Sequence, residues 1–300
     1  MTAEERNLSG REVLPALAKI YPQLYLRPGP ESAEDYKAIV QRGQDAPTHS
    51  LAHFLGHDGD SCVYEGTPAG TVPVITLQER ADFELFLQII AHRCMPDAIP
   101  PTQGASMLDG VINWTKIRAH KEEYLRTGGD PDAWSDEFER FTAVRSNYRD
   151  ALVILSAGPY SAVPAEEVGL SPQEWLKVSH AIRKTHECTH FICRRFFPKK
   201  KDAVWDELVA DAAGLTAAFG TFDRQLAERF LGIDGERYVG GRLENYLDGT
   251  NDRQERLNEL AAKVHKTLCH FEELFSAWGP VEPYELAIRL EEEIGCWKQR

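Results

Sequence analysis

The segment from Ser171 to Pro198 has the pattern of one long amphipathic helix. It opens with Ser-Pro-Gln-Glu, in which the serine is a helix N-cap and Glu174, three residues later, completes a capping box. Apolar residues then recur at helical spacing, at Trp175, Leu176, Val178, Ile182, Phe191 and Ile192. Pro198 has no amide hydrogen to continue the backbone ladder. The pattern therefore predicts a buried helix that ends before this proline.

This predicted helix carries the pattern His-Glu-Cys-Thr-His at residues 186 to 190. Residues four apart on a helix lie about 40° apart around its axis, so His186 and His190 can reach one ion. Glu187 lies roughly 100° from His186 around the helix axis, where its carboxylate can hydrogen-bond to a metal-bound water without binding the ion. Zinc on three protein ligands keeps a position for water, whose proton a neighbouring carboxylate accepts. The motif therefore predicts a Zn²⁺ site suited to metal-assisted hydrolysis.

A second predicted helix, over residues 203–219, offers a third ligand. Glu207, seventeen residues after His190, and Asp211 are one turn apart on it. We interpret Glu207 as the third zinc ligand and Asp211 as the acceptor that orients a ligand histidine through its other ring nitrogen. A solvated acidic face is the alternative, although the small residues at 210 and 212–214 favour packing against another helix. Cys193 is an alternative third ligand.

With these residues the chain resembles the zincin metallopeptidases, in the gluzincin branch, where HExxH is followed by Glu-x-x-x-Asp on a second helix. The matching residues are His186, Glu187, His190, Glu207 and Asp211. The resemblance implies zinc on both histidines and Glu207, with Glu187 as general base and Asp211 behind the ligands. It covers residues 151 to 220. The chain departs from the pattern in its short gap before Glu207 and in having Cys188 and Thr189 within the motif.

The rest of the pattern predicts an α+β fold, mostly helical and zincin-like, with a small mixed sheet packed on the HExxH helix. Strands are predicted at 62–64, 72–77 and 151–156, and further helices at 78–94, 252–278 and 283–297. We expect an N-terminal helical segment (1–60), a catalytic core (61–220) and a C-terminal helical lobe (221–300). Residues 100–107 are predicted to be a loop, and the candidates to border a cleft are this loop, Asn113, Trp114 and residues 158–161.

Hydrolysis also needs a donor for the oxyanion that develops on the attacked carbonyl. The resembled enzymes use a Tyr or His from the lower lobe, which makes Tyr246 our first candidate and His265 our second. The sequence also offers Arg242, Asn245 and His270 in the same region. The alternative is that Tyr246 is a packing residue and that Arg242 forms an ion pair with Glu244 or Glu255.

A second metal site is conceivable further upstream. His49, His53 and His57 recur every four residues and would stack along one helical face, near Asp58 and Asp60. Gly56 and Gly59 weaken a helix at the position of the third ligand. The hypothesis depends on a helix forming here.

Charge and cysteine usage limit the partners. Against 34 basic residues stand 47 acidic ones, and the net charge of −13 disfavours a nucleic acid or an anionic membrane. The local basic run at 194, 195 and 199–201 either caps its helix or attracts an acidic substrate. Six cysteines without paired spacing are typical of reduced thiols. With no signal peptide pattern and no membrane-length apolar run, we expect a cytoplasmic protein.

Three classes of function follow. The first is a zinc-dependent hydrolase, foremost a metallopeptidase that acts on a peptide or protein. The second is a metal-binding zincin-fold protein without peptidase activity, serving as a sensor or binding module. The third is a metal-free helical protein in which the motif is accidental. The sequence assigns neither a cleavage preference nor an oligomeric state.

Overall fold

The computed structural model describes residues 7–199, 202–247 and 252–297, without the side chains of 294–297. Its helices are α1 (Val13–Ile20), α2 (Ala33–Arg42), α3 (Arg80–Ile90), α4 (Trp114–Arg126), α5 (Trp134–Thr142), α6 (Pro172–Phe196), α7 (Ala203–Phe219), α8 (Arg224–Leu231), α9 (Arg253–Trp278) and α10 (Pro283–Trp297). Its strands are β1 (Leu8–Ser9), β2 (Ser61–Thr67), β3 (Gly70–Leu77), β4 (Ala105–Ile112), β5 (Arg149–Ser156), β6 (Ile233–Asp234) and β7 (Arg237–Tyr238).

Five strands form one mixed sheet in the order β1-β2-β3-β5-β4, and β6 and β7 form a separate hairpin. β1 pairs antiparallel with β2, whereas β3 pairs parallel with β5, with Val74 opposite Val153. The C-terminal halves of β3 and β5 are buried, which explains their continuous apolar runs. The structure thus confirms the predicted class, a mostly helical α+β protein with a small mixed sheet.

The chain divides into two compact units. Unit 1 comprises Met1–Glu65, Val72–Ile99 and Met107–Ser156, and unit 2 comprises Gly66–Thr71, Pro100–Ser106 and Ala157–Arg300. Each unit contains its own cluster of buried apolar side chains. The three predicted segments, and the predicted packing of the sheet on the HExxH helix, stay predictions. No helix in the described part of the chain combines the length and apolar character needed to cross a membrane.

Helix α6 begins and ends where its sequence signals predict. The Ser171 hydroxyl accepts a hydrogen bond from the Glu174 amide at 3.3 Å, and the Glu174 carboxylate accepts one from the Ser171 amide at 3.1 Å. The two bonds satisfy amide donors that a helix start leaves unpaired. Trp175, Ile182, Phe191 and Ile192 of the predicted apolar face are buried, whereas Leu176 is 43% exposed and the prediction is wrong for that residue.

Helix α7 has the predicted bounds because both of its ends are encoded locally. The Asp202 carboxylate accepts a hydrogen bond from the Trp205 amide at 3.2 Å, and the chain leaves the helix at Gly220 with φ of 76°. Between the ends, α7 approaches α6 closely at Gly214. A Cβ atom there would lie 2.9 Å from the Ile182 carbonyl oxygen, so the absence of a side chain permits the contact.

We predict that Gly214→Ala lowers the free energy of unfolding by about 1–3 kcal/mol, because the added methyl group displaces the α6 backbone. Helix propensity alone predicts the opposite sign, a gain of about 1 kcal/mol. Urea denaturation of the purified protein measures the change. The matched control is Ala217→Gly on the exposed side of α7, which should lose about 1 kcal/mol through propensity alone. A more stable Gly214→Ala protein would contradict the packing argument.

Several regions differ from the sequence predictions. The helix predicted over 78–94 spans only Arg80–Ile90. β4 begins at Ala105, so the predicted loop over 100–107 is wrong in its last three residues.

Helices α4 and α5 lie where we predict no element. Ile117 is the one buried residue of α4, which leaves little apolar signal there. α5 has no buried residue among its described residues, but Trp134, Phe138 and Phe141 recur at helical spacing, so the sequence does carry a signal for this helix. Asn113 caps α4, and the Trp114 ring donates to the Val40 carbonyl within unit 1.

The second metal site at His49, His53 and His57 requires a helix, and residues 43–60 contain neither helix nor strand. Buried carboxylates there capture the backbone donors that a helix would use: Asp82 accepts from the amides of residues 55 and 56, and Asp60 from that of His57. The His53 ring bonds to the Leu24 carbonyl at 3.0 Å. The three imidazoles therefore do not stack.

Candidate metal centre

Two histidines of α6 and one glutamate of α7 converge within unit 2. The Nε2 atoms of His186 and His190 lie 3.1 Å apart. Glu207 completes the group, with Oε2 lying 3.4 Å from His186 Nε2 and Oε1 lying 3.4 Å from His190 Nε2. Among the described residues, this is the one group of three or more histidine, cysteine or acidic side chains whose ligand atoms lie within 4.8 Å of one another.

The spacing of these atoms fits a zinc ion. Tetrahedral coordination with metal–nitrogen bonds of about 2.0–2.1 Å puts neighbouring ligand atoms about 3.3 Å apart. The observed separations of 3.1 and 3.4 Å lie on either side of that value. The His190 and Glu207 side chains remain 15% and 21% exposed, whereas His186 is 6% exposed, so solvent reaches the cluster beside His190 and Glu207. Cys193, the alternative ligand, is buried and is not a member of the cluster.

Asp211 fixes the orientation of the His186 ring. Its Oδ1 atom lies 2.9 Å from His186 Nδ1, and its side chain is 1% exposed. When the ring is neutral, a carboxylate at Nδ1 favours the tautomer that carries its proton there, and the lone pair of Nε2 then faces His190 and Glu207. The structure thus brings Asp211 to the position that the sequence pattern predicts for it.

Tyr160 adds a contact that the sequence did not predict. Its hydroxyl donates to Asp211 Oδ1 at 2.6 Å and lies 3.2 Å from His186 Nδ1. The Tyr160 backbone is anchored to α6, because its amide donates to the Ser179 hydroxyl at 2.9 Å. The Arg183 guanidinium donates to the carbonyls of Gly158 and Pro159. The segment 158–160 therefore positions a tyrosine beside His186, one of the candidate metal ligands.

Arg242 supplies the positive charge opposite Asp211. Its Nη1 donates to the Tyr160 hydroxyl at 3.1 Å, and its Nη2 donates to Asp211 Oδ2. Its side chain is 11% exposed, so the charge is largely removed from water. A buried carboxylate is costly unless it is paired, and this guanidinium pairs it. The observed partners of Arg242 are thus Asp211 and Tyr160 rather than the predicted alternatives, Glu244 and Glu255.

The turn that carries Arg242 is positioned by a close contact between Gly232 and the Gly240-Gly241 pair. Gly232 ends α8 with φ of 78°, and a Cβ atom there would overlap the Gly240 carbonyl and the Gly241 Cα. The two stretches of chain touch directly because neither side has a side chain at the contact. The Val239 amide also donates to the Gly232 carbonyl at 2.9 Å. The Gly240-Gly241 pair is the sequence signal for this contact, whose partner at Gly232 is non-local.

The ionised carboxylates of Glu207 and Asp211 stabilise positive charge at the cluster. Burial alone would lower the pKa of His186, but hydrogen bonds to Asp211 and Glu207 outweigh it and raise the pKa to about 10. Burial would raise the pKa of Glu207, yet the charge of His190 and hydrogen bonds to both histidines hold it well below its usual value. Burial likewise opposes the ionisation of Asp211, but Arg242 and His186 lower its pKa. The carboxylates of Glu207 and Asp211 therefore stay ionised at this site.

Of the two residues predicted to act in catalysis, Tyr246 has an observed contact with Glu207, whereas Glu187 is placed by its position in α6. Glu187 follows His186 on α6 and is 8% exposed. The Tyr246 hydroxyl forms a hydrogen bond with Glu207; burial is the main cause that raises the pKa of Tyr246, so its hydroxyl keeps its proton and can donate it in a hydrogen bond. Tyr246 thus belongs to the surroundings of a ligand, and its role as oxyanion donor stays a prediction, as does that of Glu187 as general base.

His265, the second candidate donor, has its ring engaged on another helix. Its Nδ1 lies 2.8 Å from Glu228 Oε1 on α8, and its Nε2 lies 3.6 Å from Cys269 Sγ on α9. These partners are not members of the metal cluster. A role for His265 at the candidate site stays a prediction.

We predict that Asp211→Asn weakens zinc binding about 10- to 100-fold, the range typical of losing a carboxylate behind a ligand histidine. The amide keeps the shape but removes the charge that holds the Nδ1 proton of His186. Competition with a chromophoric zinc chelator measures the affinity. Asp206→Asn is the matched control, since Asp206 lies on the same helix outside the cluster and should change affinity far less. Equal affinities in the two variants would remove Asp211 from the metal site.

Comparison with known proteins identifies a family whose function is unknown. The model of a family of unknown function, DUF7005, matches residues 6–285. No curated protein and no solved structure matches the chain.

Proposed function

This chain belongs to the DUF7005 family, and we propose that it is a zinc-dependent hydrolase, foremost a metallopeptidase of the zincin type in its gluzincin form. One observation carries the proposal: His186, His190 and Glu207 present three ligand atoms at the spacing of a tetrahedral zinc site. The order of these residues along α6 and α7 supports the same reading, because it follows the HExxH and Glu-x-x-x-Asp pattern.

Each residue of the site has a separate role in the proposed hydrolysis. Zinc, when bound, lowers the pKa of water and polarises a carbonyl group. Glu187 accepts the proton of the attacking water and delivers it to the leaving amine. Tyr246 donates a hydrogen bond to the oxyanion of the attacked carbonyl. Asp211 keeps the His186 ring in the ligating tautomer, while Tyr160 and Arg242 hold Asp211 in place.

The partner that this chemistry takes is a peptide or protein, and we place the protein in the cytoplasm. The net charge of −13 supports a partner other than nucleic acid or an anionic membrane. The five cysteines whose side chains are described are all thiols, as expected of a reducing compartment. The peptide or protein partner rests on the proposed hydrolase, whereas the compartment rests on the cysteines.

The test is metal analysis combined with hydrolysis. Protein purified under metal-replete conditions should contain one zinc per chain by elemental analysis. It should cleave members of a mixed peptide library, lose that activity with a chelator and regain it with zinc. Full zinc occupancy without cleavage would favour the alternative, a metal-binding sensor or binding module. Protein without zinc would contradict both proposals and leave the motif accidental.

A further inference from the structure

A second group of reactive side chains lies on α8 and α9, apart from the metal ligands. Cys269 and His265 are one turn apart on α9, with Sγ and Nε2 separated by 3.6 Å. The other nitrogen of this ring, Nδ1, lies 2.8 Å from Glu228 Oε1 on α8. A thiol, an imidazole and a carboxylate thus stand in line, in the order nucleophile, base and orienting acid.

The carboxylate determines what the imidazole does. Glu228 is 9% exposed, and its carboxylate accepts a hydrogen bond from the Nδ1–H group of His265. Nε2 is then left without a proton and can accept one from the thiol that it faces. Arg224 holds Glu228 at 2.6 Å and also pairs with Glu272 at 3.1 Å, which fixes the carboxylate against the ring. The groups around the proton path are therefore Glu228 and Arg224 from α8, with Cys269 and Glu272 on α9.

Exposure separates Cys269 from the other thiols. Cys62, Cys94, Cys188 and Cys193 are buried, whereas Cys269 is half-buried. Burial raises the pKa of Cys62 and of Cys94 to about 11, which makes these thiols poor nucleophiles near neutral pH. The side chain of Cys296 lies outside the described residues. Among the described thiols, Cys269 alone combines access with a base.

We propose that Cys269 is a nucleophilic thiol, activated by His265 and Glu228, which forms a mixed disulfide with low-molecular-weight disulfides. His265 Nε2 takes the thiol proton, and Cys269 Sγ attacks one sulfur of the small disulfide. An S–S bond forms to Cys269, the S–S bond of the reagent breaks, and the released thiolate takes the proton from His265. The disulfide is the oxidant, so the step needs no further electron acceptor. This modification site is independent of the proposed hydrolase.

The test uses the full-length protein with 2-hydroxyethyl disulfide as probe and peptide mapping by mass spectrometry to find the modified cysteine. Wild type should be modified first at Cys269, and His265→Gln should slow that reaction about tenfold near neutral pH. Above the pH at which a free thiol ionises unaided, about 8.5, the two rates should converge. His270→Gln, a histidine on the same helix paired with Glu273, is the matched control and should react like wild type.

Each result decides the proposal. Equal rates for wild type and His265→Gln at neutral pH, or first modification of another cysteine, would overturn it. A rate difference that persists at high pH would also overturn it, because His265 would then control access and not proton transfer. Glu228→Gln should slow the reaction in the same pH-dependent manner. Zinc content is measured in Cys269→Ser; retention there with loss of labelling separates this site from the metal centre.

Discussion

His186→Ala should abolish stoichiometric zinc binding. His186 is the ligand at the centre of the cluster: its Nε2 faces both His190 and Glu207, and its Nδ1 bonds to Asp211. Alanine removes one of the three ligands and leaves Asp211 without the ring that it orients. We expect zinc per chain, measured by elemental analysis after dialysis, to fall from one to background, and any hydrolytic activity to fall with it.

The control for this change is His180→Ala, which removes a half-buried histidine from the same helix. It should retain zinc. Because His186 is buried, the fold of the variant must be checked by circular dichroism. Glu207→Ala, which truncates the most exposed of the three ligands, provides a second route to the same loss. Full zinc occupancy in both ligand variants would show that the ion binds elsewhere.

Glu187→Gln should separate metal binding from hydrolysis. Glutamine has nearly the same shape as glutamate but does not accept a proton, so the variant should keep one zinc per chain. Its kcat should fall about 10²- to 10⁴-fold, the usual contribution of a general base. Steady-state kinetics on a cleaved peptide, together with elemental analysis, measures both quantities.

The comparison between the two variants is decisive. His186→Ala should lose metal and activity together, whereas Glu187→Gln should lose only activity. If Glu187→Gln keeps both zinc and full activity, another group accepts the proton and the role assigned to Glu187 is wrong. If it loses zinc, Glu187 helps to hold the ion.

The sequence predicts the local parts of the site well, because each has a local cause. Helix α6 begins at a capping box, α7 lies between Asp202 and Gly220, and the ligand spacing follows from the helical repeat. The convergence of Glu207 with the histidines is the first long-range prediction, and it succeeds because a short connection joins α6 to α7.

What the sequence does not predict depends on distant contacts. Arg242 reaches Asp211 from a turn set by Gly232, and nothing near Arg242 in the chain identifies its partner. Tyr160 is visible only as a residue after a strand, not as a donor to Asp211. Helix α4 is missed because it buries Ile117 alone, whereas the apolar spacing of Trp134, Phe138 and Phe141 could have identified α5. The site at His49, His53 and His57 does not form, because Asp82 and Asp60 accept hydrogen bonds from the backbone amides of this segment.

The contact between Gly232 and the Gly240-Gly241 pair has a consequence for biosynthesis. All three candidate metal ligands lie in α6 and α7, which are complete by Phe219, whereas Arg242 is placed only once the chain beyond Gly232 has folded back. A chain synthesised from its N-terminus therefore releases α6 and α7 from the ribosome before Arg242, the partner of Asp211. In that interval Asp211 has no arginine partner, and the nascent pair of helices carries more negative charge than the finished site.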